Sequence, residues 1–446
     1  MIRTHTIVAI ATAPGTGGVA ILRLSGGGAF DVCDKVFAAA CGVAARERTP
    51  RMLVMGTLRT DAFDERCMAV TFPAPHSYTG EDVAELHIHG GVALCREALG
   101  LCVEAGAVVA QPGEFTKRAF LNGKMDLSAA EGVAALINAQ SRAALSAAGR
   151  LVGGALRAKA EGWQQDVTRM LAQVEAALDF PEVEGEADTL ARVHAHMDAL
   201  RRALLTFTAG YGAGRPVKEG VHVVLVGRPN VGKSSLLNAL LGEDRAIVAA
   251  TPGTTRDTLS EGYLYRGYLF IVTDTAGLRE KRRGAHAGIE AQGMARAVAA
   301  ARAADAVVLV TDPDGGAGAV LDALQGACDG IPVVTAYNKC DLKPVPATKA
   351  DLRLSARTGE GVEALKEYLY TLALADKLPP ADLVLIEKRH MQALGEAADA
   401  LAGRADLLPL VAEDLRAAWA ALGRITGQTV TERVIDEVFS TFCLGK

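Results

Sequence analysis

The pattern of hydrophobic and polar positions divides this 446-residue chain into four consecutive segments. Short apolar runs separated by loops fill about the first 120 residues and predict strands, with an amphipathic helix among them. Apolar residues at three- and four-residue spacing then continue to about residue 210 and predict long helices. Strand and helix patterns alternate from residue 217 to about 375, and a helical pattern returns after residue 380. The chain is therefore predicted to be multidomain, with both α+β and α/β parts.

These patterns predict that one domain is inserted into another. Residues 1–122 are predicted to form an α+β domain, and residues 216–376 a doubly wound parallel sheet with helices. Residues 123–215 and 377–446 are predicted to be two parts of one helical domain that bury their apolar faces against each other. The predicted strands are Thr6–Ala11, Val19–Leu24, Met68–Phe72, Val83–His89, Val221–Val226, Leu269–Asp274, Ala306–Asp312, Val333–Asn338 and Leu352–Ser355. The predicted helices are Leu94–Ala105, Ala129–Arg150, Leu151–Asp179, Leu190–Gly210, Ile386–Arg404, Leu407–Thr426 and Val430–Phe442, with a linker at residues 211–216.

Composition and charge exclude several classes of protein. Half of the residues are hydrophobic and 22% are charged, which is typical of globular proteins. The net charge of −5 provides no overall attraction to nucleic acid, so any RNA contact needs a local basic patch. No apolar run approaches the roughly 18 residues of a membrane helix, and the N-terminus lacks the apolar core of a signal peptide, so a cytoplasmic protein is expected. The eight cysteines show no zinc-binding spacing.

The strongest chemical signal follows the predicted strand Val221–Val226. Gly227 and Gly232 have four residues between them and are followed by Lys233 and Ser234, which is the phosphate-loop pattern. Glycines let backbone N–H groups curl around phosphate oxygens, and the N-terminus of the next helix attracts the same anion. The lysine is predicted to hold the β- and γ-phosphates, and the serine hydroxyl to bind Mg²⁺.

Three downstream motifs predict that the nucleotide is GTP. Asp274-Thr275-Ala276-Gly277 ends a strand, where the aspartate can hold Mg²⁺ through water and the glycine N–H can meet the γ-phosphate. Asn338-Lys339-Cys340-Asp341 matches N-K-x-D, whose carboxylate accepts from the N1–H and 2-amino group of guanine, a donor pair that adenine lacks. Gly253–Asp257 supplies the switch threonine, Thr255, as a second Mg²⁺ hydroxyl. The predicted GTP-binding residues are Asn230, Val231, Gly232, Lys233, Ser234, Ser235, Thr254, Thr255, Asp274, Thr275, Ala276, Gly277, Asn338, Lys339, Asp341, Ser355, Ala356 and Arg357. Four of them are also predicted to act in hydrolysis: Lys233, Thr255, Asp274 and Gly277.

The positive charge needed for hydrolysis has no obvious source among the side chains. Leu278 occupies the position at which a glutamine usually orients water, and the sequence shows no arginine finger. Asn230 stands just inside the phosphate loop, where a potassium-dependent GTPase places a K⁺ ligand. A monovalent cation is therefore expected beside the β/γ bridge.

Two polar segments near the N-terminus are candidate ligand-binding segments. They are residues 77–91, SYTGEDVAELHIHGG, and residues 112–128, PGEFTKRAFLNGKMDLS. Turn and capping chemistry is the alternative explanation for their composition. His87 and His89 alternate on a strand and share a face, but a metal needs more than two ligands, so hydrogen bonding in the core or in a turn is expected for both.

The guanine-nucleotide motifs, the two polar segments and the C-terminal Phe442-Cys443-Leu444-Gly445-Lys446 together resemble the MnmE/TrmE family of tRNA-modification GTPases. The likeness covers essentially the whole chain. It implies an N-terminal domain that dimerises and binds a tetrahydrofolate one-carbon carrier, as 5-formyl- or 5,10-methylene-tetrahydrofolate. The resemblance assigns Arg23, Glu85, Lys124 and Lys446 to the folate, Ser234 and Thr255 to Mg²⁺, and Asn230, Ala249, Thr251 and Thr254 to K⁺.

The resemblance also implies partners and a reaction. A homodimer would form a heterotetramer with an FAD-containing MnmG/GidA-type protein, and tRNA would be the substrate. Together the proteins would add an aminomethyl or carboxymethylaminomethyl group to C5 of the wobble uridine. GTP binding and hydrolysis would drive pairing and release of the G domains across the dimer.

The sequence departs from this family at several positions. Ala285 stands where a glutamate commonly positions the attacking water, and His286 and Glu280 are the candidate substitutes. Thr16 replaces a frequent basic residue, and Ala249-Ala250 replaces frequent polar residues while keeping the backbone carbonyls for K⁺.

Cys443 is a candidate nucleophile, since a nearby lysine favours the reactive thiolate. The favoured alternative is that the C-terminal segment only docks into the folate site and that the thiol takes no part in the chemistry.

Two other functions stay open at this point. A ribosome-assembly or regulatory GTPase usually carries an RNA-binding domain, and the C-terminal part shows no KH-type GxxG loop. A folate-dependent aminomethyltransferase acting on protein or on small molecules would use the G domain as a timer.

Overall fold

The computed structural model describes residues 5–60, 63–180, 185–209, 211–242, 245–246, 260–274, 298–313, 330–342, 351–374, 387–443 and 445. The chain forms two compact units. The first comprises Met1–Ala134, Val152–Arg201 and Gln392–Lys446, and the second Ala135–Leu151 and Arg202–Met391. The four domain boundaries given above stay a prediction.

The first unit contains a seven-stranded sheet of order β3-β4-β5-β6-β2-β1-β7, in which every pairing is antiparallel except β1 with β7. The strands are β1 (Ile7–Ile10), β2 (Gly17–Ser25), β3 (Phe37–Ala39), β4 (Val54–Arg59), β5 (Asp64–Phe72), β6 (Val83–Gly90) and β7 (Val108–Val109). Two helices, α1 (Ala29–Val36) and α2 (Val92–Glu104), and a 3₁₀ turn at Ala45–Glu47 accompany it.

Apolar and polar residues alternate along the central strands β2 and β6, so this sheet has an apolar face and a polar face. Leu22 and Leu24 on β2 and Leu86 on β6 are fully buried in a core shared with α1 and α2. Arg23 lies between Leu22 and Leu24, and Glu85 lies between the buried Ala84 and Leu86, so both face the other side of the sheet. The sequence thus places two opposite charges on one face of adjacent strands.

Helices make up the rest of the first unit. Helix α6 (Ala155–Asp179) packs along α12 (Leu408–Thr426), and Gln164 of α6 donates a hydrogen bond to the Trp419 carbonyl of α12 at 3.3 Å. Helices α6 and α12 come from chain segments that precede and follow residues 202–391 in the sequence, so the predicted packing of the two helical segments against each other is confirmed. The helices of this unit are α3 (Glu114–Leu121), α4 (Leu127–Asn138), α6 (Ala155–Asp179), α7 (Glu186–Ala209), α11 (Lys388–Ala400), α12 (Leu408–Thr426) and α13 (Glu432–Ser440). Of these, α4, α7 and α11 extend across unit boundaries in the sequence, and α5 (Arg142–Val152) lies almost entirely in the second unit.

The second unit contains another seven-stranded sheet, of order β14-β13-β12-β8-β11-β10-β9. Its strands are β8 (Val221–Val226), β9 (Arg245–Ala246), β10 (Ser260–Tyr265), β11 (Tyr268–Asp274), β12 (Ala306–Thr311), β13 (Val333–Tyr337) and β14 (Leu352–Arg353). Helices α8 (Tyr211–Glu219), α9 (Lys233–Leu241) and α10 (Val362–Leu374) and a helical stretch at 298–302 belong to it. The five strands from β14 to β11 are parallel, as predicted.

Several sequence predictions of local structure were wrong. The predicted helix Ala129–Arg150 is two helices, α4 and α5, because Ser141 interrupts it and accepts the Ala144 N–H at 3.1 Å as a helix cap. The predicted linker at 211–216 lies in α8, where Pro216 is inside the helix. Buried Val217 explains this outcome, since tertiary packing overrides weak helix propensity.

Among the strands that the structure describes, five were not predicted from the sequence: β3, β4, β7, β9 and β10. Three of them are two or three residues long, too short to show a period. Strand β10 forms a hairpin with β11 through Arg266 and Gly267, both at positive φ (47° and 82°), so the sheet is mixed at this edge.

Among the described residues, no helix combines the length and the apolar character required to cross a membrane.

Candidate functional site

The loop between β8 and α9 requires its two glycines. Gly227 has φ of 150° and Gly232 has φ of 95°, conformations that favour glycine. A Cβ on Gly227 would lie 2.4 Å from the Val310 carbonyl oxygen, and a Cβ on Gly232 would lie 2.3 Å from Asn338 Nδ2. The predicted phosphate loop therefore has the close backbone approach on which an anion cradle depends.

Lys233 places a positive charge against this loop. It begins α9 and is only 6% exposed, and its Nζ donates to the carbonyls of Gly227 (2.9 Å) and Arg228 (2.8 Å). The N-terminal end of α9 adds the positive end of a helix dipole at the same place. Ser235 follows on the same turn and is exposed. A phosphate group fits this combination of charge and backbone N–H groups.

The hydroxyl of Ser234 and the carboxylate of Asp274 meet at the carboxyl-terminal edge of the sheet. Ser234 Oγ donates to Asp274 Oδ2 at 2.6 Å. Strands β8 and β11 are parallel neighbours, so the loop that follows one lies beside the end of the other. Hydroxyl and carboxylate oxygens are ligands that Mg²⁺ accepts, with phosphate oxygens completing its shell, so these two residues fit that ion.

The predicted base-recognition motif is hydrogen-bonded directly to the predicted phosphate loop. Asn338 is 2% exposed, and its Nδ2 donates to the Val231 carbonyl at 2.8 Å. Its Oδ1 accepts the Ala356 N–H at 2.9 Å. Lys339 donates from Nζ to the carbonyl of Asn230, which has φ of 64°, and to Asp312 Oδ2, both at 2.8 Å. Asn338 and Lys339 therefore hold the loop through the backbone carbonyls of Val231 and Asn230.

Asp341 is held as a carboxylate. A hydrogen bond from Ser355 lowers the pKa of Asp341, and the Arg357 guanidinium, 3.0 Å away, lowers it further. An ionised carboxylate can accept two N–H donors, which is the pattern that the Watson–Crick edge of guanine offers.

Several predicted site residues lie outside the described residues. They are Ala249, Thr251, Thr254, Thr255, Thr275, Ala276, Gly277, Glu280, His286 and Lys446.

A second cluster of polar residues, the N-terminal polar site, consists of Arg23, Glu85 and His87 on the sheet face opposite α1 and α2. Arg23 and Glu85 are register partners on β2 and β6, and Arg23 Nε donates to Glu85 Oε1 at 2.7 Å. Both side chains are largely buried. His87 Nε2 lies 3.5 Å from Glu85 Oε2. The guanidinium of Arg23 lies over the rings of Tyr78 (5.7 Å) and Phe115 (5.9 Å).

Arg118 fixes the segment that carries Tyr78. It is 5% exposed, and its Nη1 lies 3.0 Å from Glu81 Oε2 while its Nη2 lies 2.9 Å from Glu114 Oε1. Ser25 Oγ donates to the same Glu81 oxygen at 2.7 Å. Sequence reasoning did not single out Tyr78, Phe115 or Arg118, although all three lie in the two polar segments it selected.

Lys124 lies at the edge of the same segment. Its Nζ donates to the Pro75 carbonyl at 3.0 Å, and Asn122 Nδ2 donates to the Thr79 carbonyl at 2.7 Å. The structure therefore places Lys124 against the segment that covers Arg23.

The C-terminal segment docks against the N-terminal sheet. The Gly113 N–H donates to the Cys443 carbonyl at 3.4 Å. A Cβ on Gly445, which has φ of 90°, would lie 2.5 Å from the Ile10 carbonyl oxygen at the end of β1. Strand β1 pairs with β2, where Arg23 faces Ala9. The C-terminus thus reaches the strand next to the N-terminal polar site.

His89 makes the kind of contact expected from the sequence. Its Nδ1 lies 2.5 Å from Glu65 Oε1. No group of three or more His, Cys, Asp or Glu side chains able to hold a metal occurs within the part of the chain that the structure describes.

Comparison with known proteins shows matches along the whole chain. A family model described as the GTP-binding protein TrmE N-terminus matches residues 6–124, and one described as the MnmE helical domain matches residues 127–443. The tRNA modification GTPase MnmE of Xanthomonas campestris pv. campestris (strain B100) is 43% identical over 453 residues, covering 99% of both chains. The protein of the same name from Azoarcus sp. (strain BH72) is 41% identical over 455 residues, covering 99% of this chain and 98% of that one.

Among solved structures, the G domain of the T. maritima FeoB iron transporter is 29% identical and covers 34% of this chain and 98% of that chain. Its TM-score of 0.25 is too low to add support. The full-length relatives and the two family models agree with the guanine-nucleotide motifs and with the order of the segments, and this chain belongs to the MnmE family of tRNA modification GTPases.

Proposed function

We propose that this chain is a potassium-dependent GTPase that acts in modification of the wobble uridine of tRNA. It adds an aminomethyl or carboxymethylaminomethyl group to C5 with a one-carbon unit from a reduced folate. It works in the cytoplasm as a homodimer with an FAD-containing MnmG/GidA-type partner. The observation that carries the proposal is that one chain of this family holds both the nucleotide site and the paired charges Arg23 and Glu85, with its C-terminus docked beside the latter.

The nucleotide half of the proposal is supported by the loop geometry. Lys233 and the loop N–H groups bind the phosphates, while Asp341 accepts from the guanine edge and Asn338 aligns the base pocket with the loop. Ser234 and Asp274 would hold Mg²⁺, with Thr255 as a further hydroxyl; bound Mg²⁺ neutralises charge on the β- and γ-phosphates. Gly277 is proposed to meet the γ-phosphate.

Potassium is proposed as the source of positive charge beside the β/γ bridge. Asn230 belongs to the phosphate loop, and its carbonyl is already bonded to Lys339, which leaves its side chain as the proposed K⁺ ligand. Carbonyls of Ala249 and Thr251, with Thr254 nearby, are proposed to complete the site. GTP turnover measured in matched potassium and sodium buffers tests this step: equal rates would contradict it.

The folate half is supported by the chemistry of the N-terminal polar site. Guanidinium groups pair with carboxylates such as the glutamyl groups of a folate, and Glu85 accepts from N–H groups such as those of a pterin edge. The rings of Tyr78 and Phe115 add an apolar wall next to these charges. Lys124 and the C-terminal Lys446 are proposed to add positive charge. Cys443 is exposed, and we assign it no chemical step.

Nucleoside analysis tests the whole proposal. Undermodified tRNA is incubated with this protein, the FAD partner, reduced folate, GTP and KCl, and the wobble nucleoside is identified by mass spectrometry. The expected product carries a C5 aminomethyl-type group, and omission of any one component abolishes it. Potassium-dependent GTP turnover without folate binding and without product would instead favour a ribosome-assembly or regulatory GTPase.

A further inference from the structure

One buried polar atom in the N-terminal polar site has no hydrogen-bond partner among the described residues. It is Nε2 of His87, which is fully enclosed although the ring as a whole is partly exposed. Leaving a buried nitrogen unsatisfied costs free energy, so such atoms are uncommon in folded proteins and each calls for an explanation. Glu85 Oε2 lies 3.5 Å from this nitrogen, a distance beyond a good hydrogen bond but within the range of an ionic contact.

The two oxygens of Glu85 have different neighbours. Oε1 accepts from Arg23 Nε at 2.7 Å, whereas Oε2 faces His87. Each carboxylate oxygen can accept two hydrogen bonds, so one acceptor position on each oxygen stays available for a ligand. A carboxylate presented in this way suits a ring that offers two adjacent N–H donors, as the 2-amino-4-oxopyrimidine part of a reduced folate does.

The tautomer of His87 follows from the same geometry. A lone pair on Nε2 directed at a carboxylate oxygen would be repelled, because both atoms would be acceptors. A proton on Nε2 removes this repulsion and converts the contact into a donor–acceptor pair. The ring needs to move only a few tenths of an ångström to bring 3.5 Å into hydrogen-bond range.

We propose that His87 is a positioning residue of the N-terminal polar site: it donates Nε2–H to Glu85 Oε2 when ligand binds, and with Arg23 it fixes both carboxylate oxygens for a two-donor heterocycle. This inference rests on the proposed folate function, which it deepens by naming the residue that orients Glu85. Register supports the placement, since His87 lies opposite Ile21 on β2 and Met68 on β5, and neither side chain carries a nitrogen or oxygen acceptor.

The test compares two substitutions at this position in the full-length protein. In His87→Gln, the amide nitrogen reaches nearly the place of Nε2 and can donate; in His87→Leu, no donor remains. The dissociation constant of 5-formyltetrahydrofolate is measured by isothermal titration calorimetry. We expect H87Q to bind within about threefold of wild type and H87L to bind about tenfold more weakly or worse.

His194 on α7 supplies the matched control. Its Nε2 is also buried without a partner among the described residues, but it lies on a long helix rather than on the sheet. His194→Leu removes a comparable side chain and should leave folate affinity unchanged. Thermal unfolding of all variants shows whether any loss follows from instability.

The outcomes separate this inference from the function on which it rests. Three results would overturn the positioning role, provided that Glu85→Gln still abolishes folate binding. They are wild-type folate affinity in H87L, equal losses of affinity in H87Q and H87L, and equal losses of affinity in H87L and H194L. If wild type binds no reduced folate, or if E85Q binds as well as wild type, the proposed folate function fails and this inference fails with it.

Discussion

Asn338 holds the phosphate loop through a contact that leaves no room for a side chain at Gly232. Asn338 Nδ2 donates to the Val231 carbonyl at 2.8 Å, and a Cβ on Gly232 would lie 2.3 Å from that nitrogen. The predicted base-recognition motif and the predicted phosphate loop are therefore mechanically linked in this chain, although they are more than a hundred residues apart.

Gly232→Ala should disrupt GTP binding. The new methyl group would displace the Asn338 amide, and φ of 95° adds about 1–2 kcal/mol of backbone strain. We expect affinity for a fluorescent GTP analogue to fall by more than about tenfold.

Gly330→Ala is the control for backbone strain alone. Gly330 also has positive φ (82°), but within the described part of the chain no atom lies within 4 Å of a Cβ built there. It should lose about 1–2 kcal/mol of stability and keep its GTP affinity. Equal GTP affinity in the two variants would contradict the clash at Asn338.

Ser355→Ala should shift the acid limit of GTP binding to higher pH. The Ser355 hydrogen bond is the main cause that lowers the pKa of Asp341, so its loss moves that pKa back towards its ordinary value. A lowered pKa contributes stability that is present above the unfolded-state value and is lost as pH falls through the folded-state value. Because the pKa of Asp341 is higher in S355A, its carboxylate, the proposed acceptor for guanine, becomes protonated at a higher pH in S355A than in wild type.

Binding of a fluorescent GTP analogue between about pH 4 and about pH 7 measures this shift as the ratio of wild-type to S355A affinity. The ratio should rise as pH falls, and titration of the nucleotide phosphates cancels in it. A constant ratio would show that Ser355 does not control Asp341. Asp341→Asn lacks the titrating group and should show neither the acid limit nor strong GTP binding.

Arg118→Met should destabilise the first unit strongly. It removes the cation between Glu81 and Glu114 and leaves two partly buried carboxylates without their partner. Removing one member of a buried ionic network costs about 3–5 kcal/mol. Chemical denaturation followed by circular dichroism measures the loss.

Arg157→Met provides the comparison for Arg118. Arg157 pairs with Glu161 at 2.7 Å, but both side chains are exposed, and such pairs contribute about 0.5 kcal/mol or less. Similar losses in R118M and R157M would show that the Arg118 network contributes no more than a surface ion pair.

Glu280 and His286 are the proposed substitutes for the glutamate that Ala285 replaces. If one of them positions the attacking water, its alanine variant should slow single-turnover GTP hydrolysis in potassium buffer by about a hundredfold without changing GTP affinity. The variant of these two that keeps the wild-type hydrolysis rate serves as the control for the variant that is slowed. Wild-type rates in both E280A and H286A would eliminate both candidates.

The sequence by itself determined the local structure of the predicted phosphate loop. Gly227, Gly232, Lys233 and Ser234 are adjacent in the chain, so their spacing alone predicts a strand, a loop and a helix in the required order. The parallel strands β8, β11, β12, β13 and β14 were likewise predicted from apolar runs. Local spacing is sufficient to predict the loop and the strands, because each is formed by residues that are neighbours in the sequence.

Only the tertiary structure decided which side chains meet in the N-terminal polar site. Arg23 and Glu85 are 62 residues apart, and His87 joins them because β6 pairs with β2 in one register. The same holds for Arg118, whose partner Glu81 is 37 residues away. Strand order and helix packing bring such residues together. The local sequence pattern does not predict these contacts, because they depend on how apolar faces that are distant in the sequence become buried against each other.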